Sequence, residues 1–320
     1  MSSSETGGNS SPAQGIVCAI AGVAMFSLLE VASRPLSKSI HPLPLLSMRF
    51  IIGGLILLPW ALKEARAAGA LKIEALWRIA LLSFLGINIS MGLLQWSLLY
   101  APAAVAATFI SSTPAFVPIF SWLILGQKPE KGRLATIFLG LTGVLIIGIG
   151  EATIPSGAMA GLLLALGASI CFALYTVLGS ALTRKYGRVS VLGFGALMGG
   201  LVFSPFLIVN PPASGFAALI AVHWHRLLIL GVLVSGVGYI LYFRGMEILG
   251  PNRGASFFFL KPALATVLGI FLLGEKPSVI QVMGICLVSA AVLLTGFSRK
   301  VNSEKELDFG QNPVNALSSN

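Results

Sequence analysis

Residues 112–129, STPAFVPIFSWLILGQKP, recur 148 positions later as residues 260–277, LKPALATVLGIFLLGEKP. Each copy has a Pro-Ala step near its start, at Pro114 and Pro262, and ends in Leu-Gly-x-Lys-Pro. Proline removes a backbone donor and kinks a helix, so both copies indicate a broken apolar helix. Internal duplication of broken apolar helices is typical of secondary transporters, in which the substrate site lies between the repeats.

The composition indicates a protein embedded in a lipid bilayer. Of its 320 residues, 56% are hydrophobic and only 10% are charged, whereas a soluble domain carries about 25% charged residues. The net charge of +10 comes from basic residues in short loops, which membrane orientation explains better than a nucleic-acid partner. Each cysteine lies in an apolar run, which favours packing over a disulfide or a metal site: Cys18, Cys171 and Cys286.

A membrane-spanning helix needs about 20 mostly apolar residues, and the chain contains ten such runs, spans 1 to 10. They cover residues 14–33, 43–62, 76–98, 102–125, 133–150, 157–180, 190–209, 227–249, 252–273 and 278–297. The predicted fold class is an all-α polytopic membrane protein with ten transmembrane helices. Polar tails at residues 1–13 and 298–320 flank two five-helix repeats, at residues 14–150 and 157–297.

The basic residues predict the orientation of the spans. With a cytoplasmic N-terminus, the inner loops hold 14 Lys and Arg residues and the outer loops hold 4. Positive charge favours the cytoplasmic side, so we expect both termini in the cytoplasm of a multi-pass protein of the cell (inner) membrane. Five spans per repeat is an odd number, so the second repeat must be inverted relative to the first. Inverted repeats place a substrate site near the bilayer midplane.

Three short motifs point to a known family. They are Arg49-Phe50 early in span 2, FALYTVLG at residues 172–179 in span 6, and Leu272-Leu273-Gly274-Glu275 at the end of span 9. With these motifs the chain resembles the EamA-type transporters of the drug/metabolite transporter superfamily. The resemblance implies two inverted EamA repeats, with spans 1–4 and 6–9 around a central cavity and spans 5 and 10 outside it. It also implies export or exchange of amino acids and other small metabolites.

Sequence motifs for enzymatic chemistry are absent. No Gly-x-x-x-x-Gly-Lys-Ser/Thr loop is present to hold ATP phosphates, and the only aspartate, Asp308, lies in the C-terminal tail. Proteolysis by a carboxylate pair is therefore not expected, and we predict neither a catalytic residue nor a cofactor. His223-Trp224-His225 is interpreted as part of an interfacial belt, because a zinc site needs more converging ligands.

Five ionisable residues lie inside spans, where a charge costs about 2.5–3.5 kcal/mol at the helix centre: Glu30, Arg49, Arg244, Glu247 and Lys261. Glu30 and Arg49 lie toward the outer ends of spans 1 and 2, which suits either an ion pair or a gate. Arg244 and Glu247 are three residues apart near the inner end of span 8, a spacing that favours a local ion pair.

Lys261 differs from these residues because it lies near mid-depth in span 9, directly before Pro262. We expect its side chain to face a substrate in the cavity, to meet a carboxylate such as Glu30, or to be buried without charge. Contact with a substrate would favour a carboxylate or phosphate on that substrate. Pro114 and Pro262 are equivalent in the two repeats, so their kinks are predicted to face one cavity; kinks that only help packing are the alternative.

Further polar and aromatic residues of the spans are candidates for binding a substrate in the cavity: Asn88, Ser90, Gln95, Trp96, Tyr175, Tyr239 and Tyr242. Gly195 and Gly199, four residues apart in span 7, indicate close helix packing instead.

The predicted function is secondary transport of a small-molecule substrate: export or facilitated passage of amino acids or related organic compounds by alternating access. The protein would act as a monomer or homodimer, and coupling to protons or another ion stays open. A channel-like pore and a flippase for a lipid-linked substrate are the alternatives. Kinked, repeated spans favour alternating access over a fixed pore, and no ring of like charges indicates a filter.

Overall fold

The computed structural model describes residues 11–33, 36, 39–97, 99–100, 103–127, 133–151, 159–274 and 278–297. Throughout these residues the regular secondary structure is helical and no strand occurs, which confirms the all-α prediction. Most of the two predicted tails, residues 1–10 and 298–320, lies outside the described residues, as does the side chain of Glu30.

The helices fall into ten groups, α1 to α10 in chain order. Those of the first half are α1 Pro12–Ser33, α2 Pro42–Ala68, α3 Ile73–Ser97, α4 in two segments, Ala103–Ile110 and Thr113–Leu125, and α5 Arg133–Glu151. Those of the second half are α6 Met159–Tyr186, α7 Arg188–Val202 with a short extension Pro205–Val209, α8 Phe216–Leu249, α9 in three pieces, Pro251–Ser256, the 3₁₀ turn Phe257–Phe259 and Leu260–Leu273, and α10 Val279–Phe297.

Eight of these groups are long and apolar enough to cross a membrane. The apolar stretches of α5 and α10 are shorter, Leu134–Ile146 and Val279–Leu294. The described residues therefore form a multi-pass membrane protein with eight candidate spans. A count of ten requires that α5 and α10 also cross, so it stays a prediction.

The repeated Leu-Gly step ends a helix in both halves. Gly126 and Gly274 have φ values of 68° and 69°, a left-handed conformation in which a Cβ atom is unfavourable. Their N–H groups donate to the carbonyl oxygens of Trp122 and Ile270, both at 3.1 Å, and so close the same C-cap. The duplicated motif is thus a duplicated helix stop.

Both halves also carry matching irregularities. α4 is broken by a turn at residues 111 and 112, and α9 by its 3₁₀ turn, in each case just before the proline. α3 and α8 each contain a π-helical segment, Phe84–Met91 and Ile229–Gly238, which begin 145 positions apart. π-Helical turns are frequent at functional sites, so the symmetry directs attention to the space between these helices.

α2 and α7 cross with their backbones in contact. A Cβ atom added to Gly54 would lie 2.6 Å from the Leu197 nitrogen, and one added to Gly200 would lie 2.8 Å from the Ile51 nitrogen. Gly54 and Gly200 are 146 positions apart, and so are Ile51 and Leu197. Such reciprocal contacts are those of a pseudo-twofold axis that passes through the crossing.

The other helices pack in equivalent pairs around this axis. α1 packs against α8, and α3 packs against α6. α5 and α10 pack against each other. This pair lies apart from the pairs formed by α1 with α8 and by α3 with α6.

Candidate functional site

A small cavity lies between the two repeats. Its volume is about 30 Å³, which is room for a water molecule or two, whereas ligand pockets measure about 300–1,000 Å³. The cavity is therefore too small to hold a metabolite in this conformation. Side chains from α1, α2, α3, α4, α6, α8 and α9 line it: Phe26, Leu29, Arg49, Met91, Leu94, Ile110, Phe172, Val234, Tyr239, Phe258 and Lys261.

The lining repeats itself across the pseudo-twofold axis. Three pairs of lining residues occupy equivalent positions, 145 to 148 residues apart: Phe26 and Phe172, Leu94 and Tyr239, and Ile110 and Phe258. Equivalent residues of the two repeats thus border one cavity, and the axis passes through it. In two of the pairs the first repeat supplies an aliphatic side chain and the second an aromatic one.

Four aromatic lining residues contact one another in a closed circuit of side chains, the aromatic ring. The ring centroids are 4.9 Å apart for Phe26 and Tyr239 and 6.5 Å apart for Tyr239 and Phe172. Phe172 lies 5.5 Å from Phe258, which lies 6.0 Å from Phe26. These separations are within the range of favourable aromatic pairs, so the ring is a packed, ordered wall.

Two cations interrupt this apolar lining. Arg49 of α2 is 2% exposed and Lys261 of α9 is 5% exposed. Their equivalents in the other repeat are uncharged, Gly195 and Thr113, 146 and 148 positions away. The charges therefore break the symmetry of an otherwise symmetric site. Glu30, which sequence analysis proposed as a partner of either cation, has its backbone in α1 and its side chain outside the described residues.

The proline break in α4 satisfies its own backbone. Pro114 cannot donate to the carbonyl oxygen of Ile110, four residues earlier. Thr113 Oγ1 donates to that oxygen at 2.6 Å and also lies 3.2 Å from Ser169 Oγ of α6. In α9 the residue equivalent to Thr113 is Lys261, whose own carbonyl oxygen accepts from Ser27 Oγ of α1 at 3.0 Å. At this position the first repeat has a hydroxyl that serves packing, and the second repeat has a charged group instead.

The remaining candidates occupy three kinds of place. Tyr175 and Tyr242 are buried directly behind the aromatic ring, with centroids 5.6 Å from Phe172 and 5.5 Å from Phe26, respectively. Other candidates tie helices together, since Asn88 Nδ2 donates to the Gly199 oxygen at 3.0 Å and Ser90 Oγ to the Ala168 oxygen at 2.8 Å. Gln95 and Trp96 do not line this cavity, and Trp96 is 48% exposed.

A separate ion cluster lies at the end of the bundle predicted to be cytoplasmic. Arg188 of α7 binds Glu247 of α8 through two hydrogen bonds, of 3.0 and 2.5 Å. Arg244 Nη1 is farther from Glu247 Oε2, at 3.4 Å, and Arg184 of α6 donates to the Glu247 carbonyl oxygen at 3.2 Å. The expected local pair of Arg244 and Glu247 is present, but the closer partner is Arg188.

Sequence reasoning missed Arg188 and most of the aromatic ring. Arg188 lies 59 positions before Glu247, and no spacing rule links residues so far apart. The ring had a detectable signal, because Phe26 and Phe172 fall on the 146-residue offset between the repeats. Arg49 was considered as a gate or ion pair, and its place in the cavity wall came only from the structure.

Comparisons with known proteins agree with this architecture. The chain is 29% identical over 292 residues to an uncharacterized transporter of Clostridium kluyveri, covering 88% of this chain and 93% of that protein. It is 28% identical over 281 residues to the uncharacterized transporter YvbV of Bacillus subtilis, covering 83% and 87%. A crystal structure 18% identical in sequence superposes with a TM-score of 0.73 over 89% of this chain and 96% of that one. The EamA-like transporter family model matches twice, at residues 13–149 and 159–297, and the chain belongs to that family.

Proposed function

We propose that the protein is a secondary transporter of small metabolites, an exporter or facilitator of amino acids or related organic compounds that works by alternating access. The observation that carries the proposal is the cavity on the pseudo-twofold axis, bordered by equivalent residues of both repeats. A site on the axis becomes accessible from either side when one half rocks against the other. Family membership and the names of the relatives support the same function.

The proposal includes ten spans, with α5 and α10 crossing the membrane beside the other eight. It also includes an inverted second repeat, cytoplasmic termini, a cell (inner) membrane location, and a monomer or homodimer without enzymatic activity. The excess of basic residues in the loops assigned to the cytoplasm supports this orientation. The mutual packing of α5 and α10, away from the cavity, suits two helices that support the transport core.

A resistance screen followed by counterflow tests the proposal. Cells that overexpress the protein are challenged with toxic amino-acid analogues, and a compound that they survive is then radiolabelled for proteoliposomes. Alternating access predicts a transient accumulation of label when unlabelled compound is trapped inside. Uptake that rises in proportion to concentration, without that overshoot, would instead indicate a pore.

Two tryptophan variants test whether the substrate passes through the cavity. Phe172→Trp enlarges a side chain that lines the small cavity and should abolish resistance. Phe138→Trp makes the same change at an exposed position of α5 and should preserve it. If both variants lost resistance equally, at equal amounts of protein in the membrane, the activity would not depend on the cavity.

A further inference from the structure

We infer that Glu64, Arg188 and Glu247 form a one-sided latch, which stabilises the conformation in which their end of the bundle is closed. In the proposed orientation this is the cytoplasmic end, so the resting protein faces outward. The inference rests on the proposed alternating access and adds what sets the balance between its two conformations. It depends on the bonds of the latch and on their absence from the equivalent positions at the opposite end.

Two carboxylates hold the start of α7 at this end. Glu64, near the end of α2, accepts from the Ser190 nitrogen at 2.7 Å and from the Ser190 hydroxyl at 3.2 Å. Two residues earlier, Arg188 binds Glu247 of α8 through two hydrogen bonds, and Arg184 of α6 donates to the Glu247 carbonyl oxygen. One network thus joins α2, α6, α7 and α8, and the bonds of Glu64 connect the first repeat with the second.

The surroundings of the latch suit both carboxylates. Gly187 has a φ of 85°, a left-handed conformation, and a Cβ atom there would collide with the Glu64 side chain. The first turn of a helix has N–H groups without partners in the helix, so a carboxylate is favourable at the start of α7. The side chains of Arg188 and Glu247 are 21% and 13% exposed, and charged pairs shielded from water are screened less by salt.

The opposite end of the bundle lacks the groups that make this network. Three positions of the latch region have counterparts 146 residues away: Pro42 for Arg188, Pro44 for Ser190, and Asn210 for Glu64. Proline has neither an N–H group nor a polar side chain, and asparagine carries no charge. Offsets of 145 to 148 place the counterpart of Glu247 within residues 99–102, Leu-Tyr-Ala-Pro, which are also uncharged.

Alternating access converts this asymmetry into a bias. Inverted repeats exchange their roles when one half rocks against the other, so equal bonds at both ends would favour neither conformation. Because the latch joins both repeats, opening its end separates its partners, and closing the opposite end forms no equivalent bonds. The latch therefore lowers the free energy of one conformation alone, and the population shifts toward that conformation.

Side-specific labelling of a cavity cysteine tests the latch in the full-length protein, without any substrate. Met91→Cys places the thiol in the cavity wall of a protein whose three native cysteines are replaced by alanine. A membrane-impermeant maleimide is applied to one side at a time, in right-side-out and inverted vesicles. A second protein with Arg66→Cys, an exposed position at the latch end of α2, identifies the latch side. The protein with an intact latch should label faster from the opposite side.

Three variants each remove one charge from the latch: Glu64→Gln, Arg188→Gln and Glu247→Gln. Each should raise the labelling rate from the latch side at least fivefold and lower the rate from the opposite side. Gly187→Ala should act as Glu64→Gln does, because the added methyl group displaces the carboxylate. Glu74→Gln and Arg78→Gln make the same chemical changes at exposed positions of α3 and should leave both rates unchanged.

The two sides separate a latch from a general loss of stability. Rates that rise on both sides, rates equal to those of the controls, or faster labelling of the intact protein from the latch side would overturn the inference. An unchanged balance in a protein that labels from both sides would leave alternating access standing. A shifted balance without counterflow of any substrate would contradict the transport proposal and leave the latch standing. Labelling from only one side in every protein would contradict both.

Discussion

Position 113 and position 261 show how one residue changes the role of a proline break. In the first repeat, the Thr113 hydroxyl donates to the carbonyl oxygen that Pro114 leaves without its usual partner. In the second repeat, lysine at the equivalent position brings charge to the cavity. The same backbone break therefore serves packing on one side of the axis and brings a charged side chain to the cavity on the other.

Replacing Thr113 with valine keeps the shape and removes the donor. We expect a loss of about 1–3 kcal/mol in unfolding free energy, the cost of a buried carbonyl that loses its hydrogen bond. Unfolding in mixed micelles of increasing SDS content would measure it. Thr142→Val is the matched control, because the Thr142 hydroxyl donates to a carbonyl within its own helix at an exposed position. A cost for Thr113→Val no larger than for the control would contradict this role.

Glu247 should contribute to stability through Arg188 more than through Arg244. Glu247→Gln removes the charge that accepts two hydrogen bonds from Arg188, and we expect about 1–3 kcal/mol of lost stability in the same assay. Arg188→Gln should cost a similar amount. The part of the Arg244→Gln loss that disappears when Glu247 is already glutamine should be less than half of the same part for Arg188→Gln, because the Arg244 nitrogen lies 3.4 Å from the carboxylate. The opposite ranking of the two arginines would restore the local pair expected from sequence spacing.

At the scale of helices, the crossing of α2 and α7 is a backbone-to-backbone contact that glycine permits. The sequence predicted close packing for span 7 from Gly195 and Gly199, and Gly199 does lie against Ile87 of α3. Gly200 carries the contact with α2, which no spacing within span 7 reveals. Reading the two repeats together would have shown it, since Gly54 and Gly200 share the 146-residue offset.

Gly54→Ala should therefore damage the protein, although alanine is the better helix former. The added methyl group would lie 2.6 Å from the backbone nitrogen of Leu197, and backbone cannot move aside as a flexible side chain can. We expect a loss of about 1–3 kcal/mol or more in SDS unfolding. In Gly167→Ala the nearest atom is Leu93 Cδ1 at 3.5 Å, an ordinary contact, so that variant should match the wild type.

Other features of the helices had no signal in the single sequence. The duplicated Leu-Gly step was visible, and the structure gives its physical reason as a helix C-cap. The π-helical segments were not expected, because their residues are those of an ordinary apolar helix. Both segments pack against neighbouring helices, and tertiary contacts can override local preference.

For the whole molecule, the number of spans decides the topology. With ten spans, residues 131 and 185 face the cytoplasm, whereas residues 155 and 212 face the opposite side. Reporter fusions after Lys131, Lys185, Pro155 and Pro212 would measure this directly. A cytoplasmic signal after Pro155 would mean that α5 does not cross, and an external signal after Lys185 would reject the proposed orientation.

The asymmetric charges of the cavity have a consequence for how such a protein can arise. In a dimer of identical five-helix subunits, every side chain beside the axis occurs twice, so one lysine there brings a second, and like charges close together repel. Once the two halves share one chain, each position mutates independently. Position 261 can then hold lysine while position 113 holds threonine. Gene fusion thus permits a polar ligand to bind in one fixed direction, which an exactly symmetric dimer cannot specify.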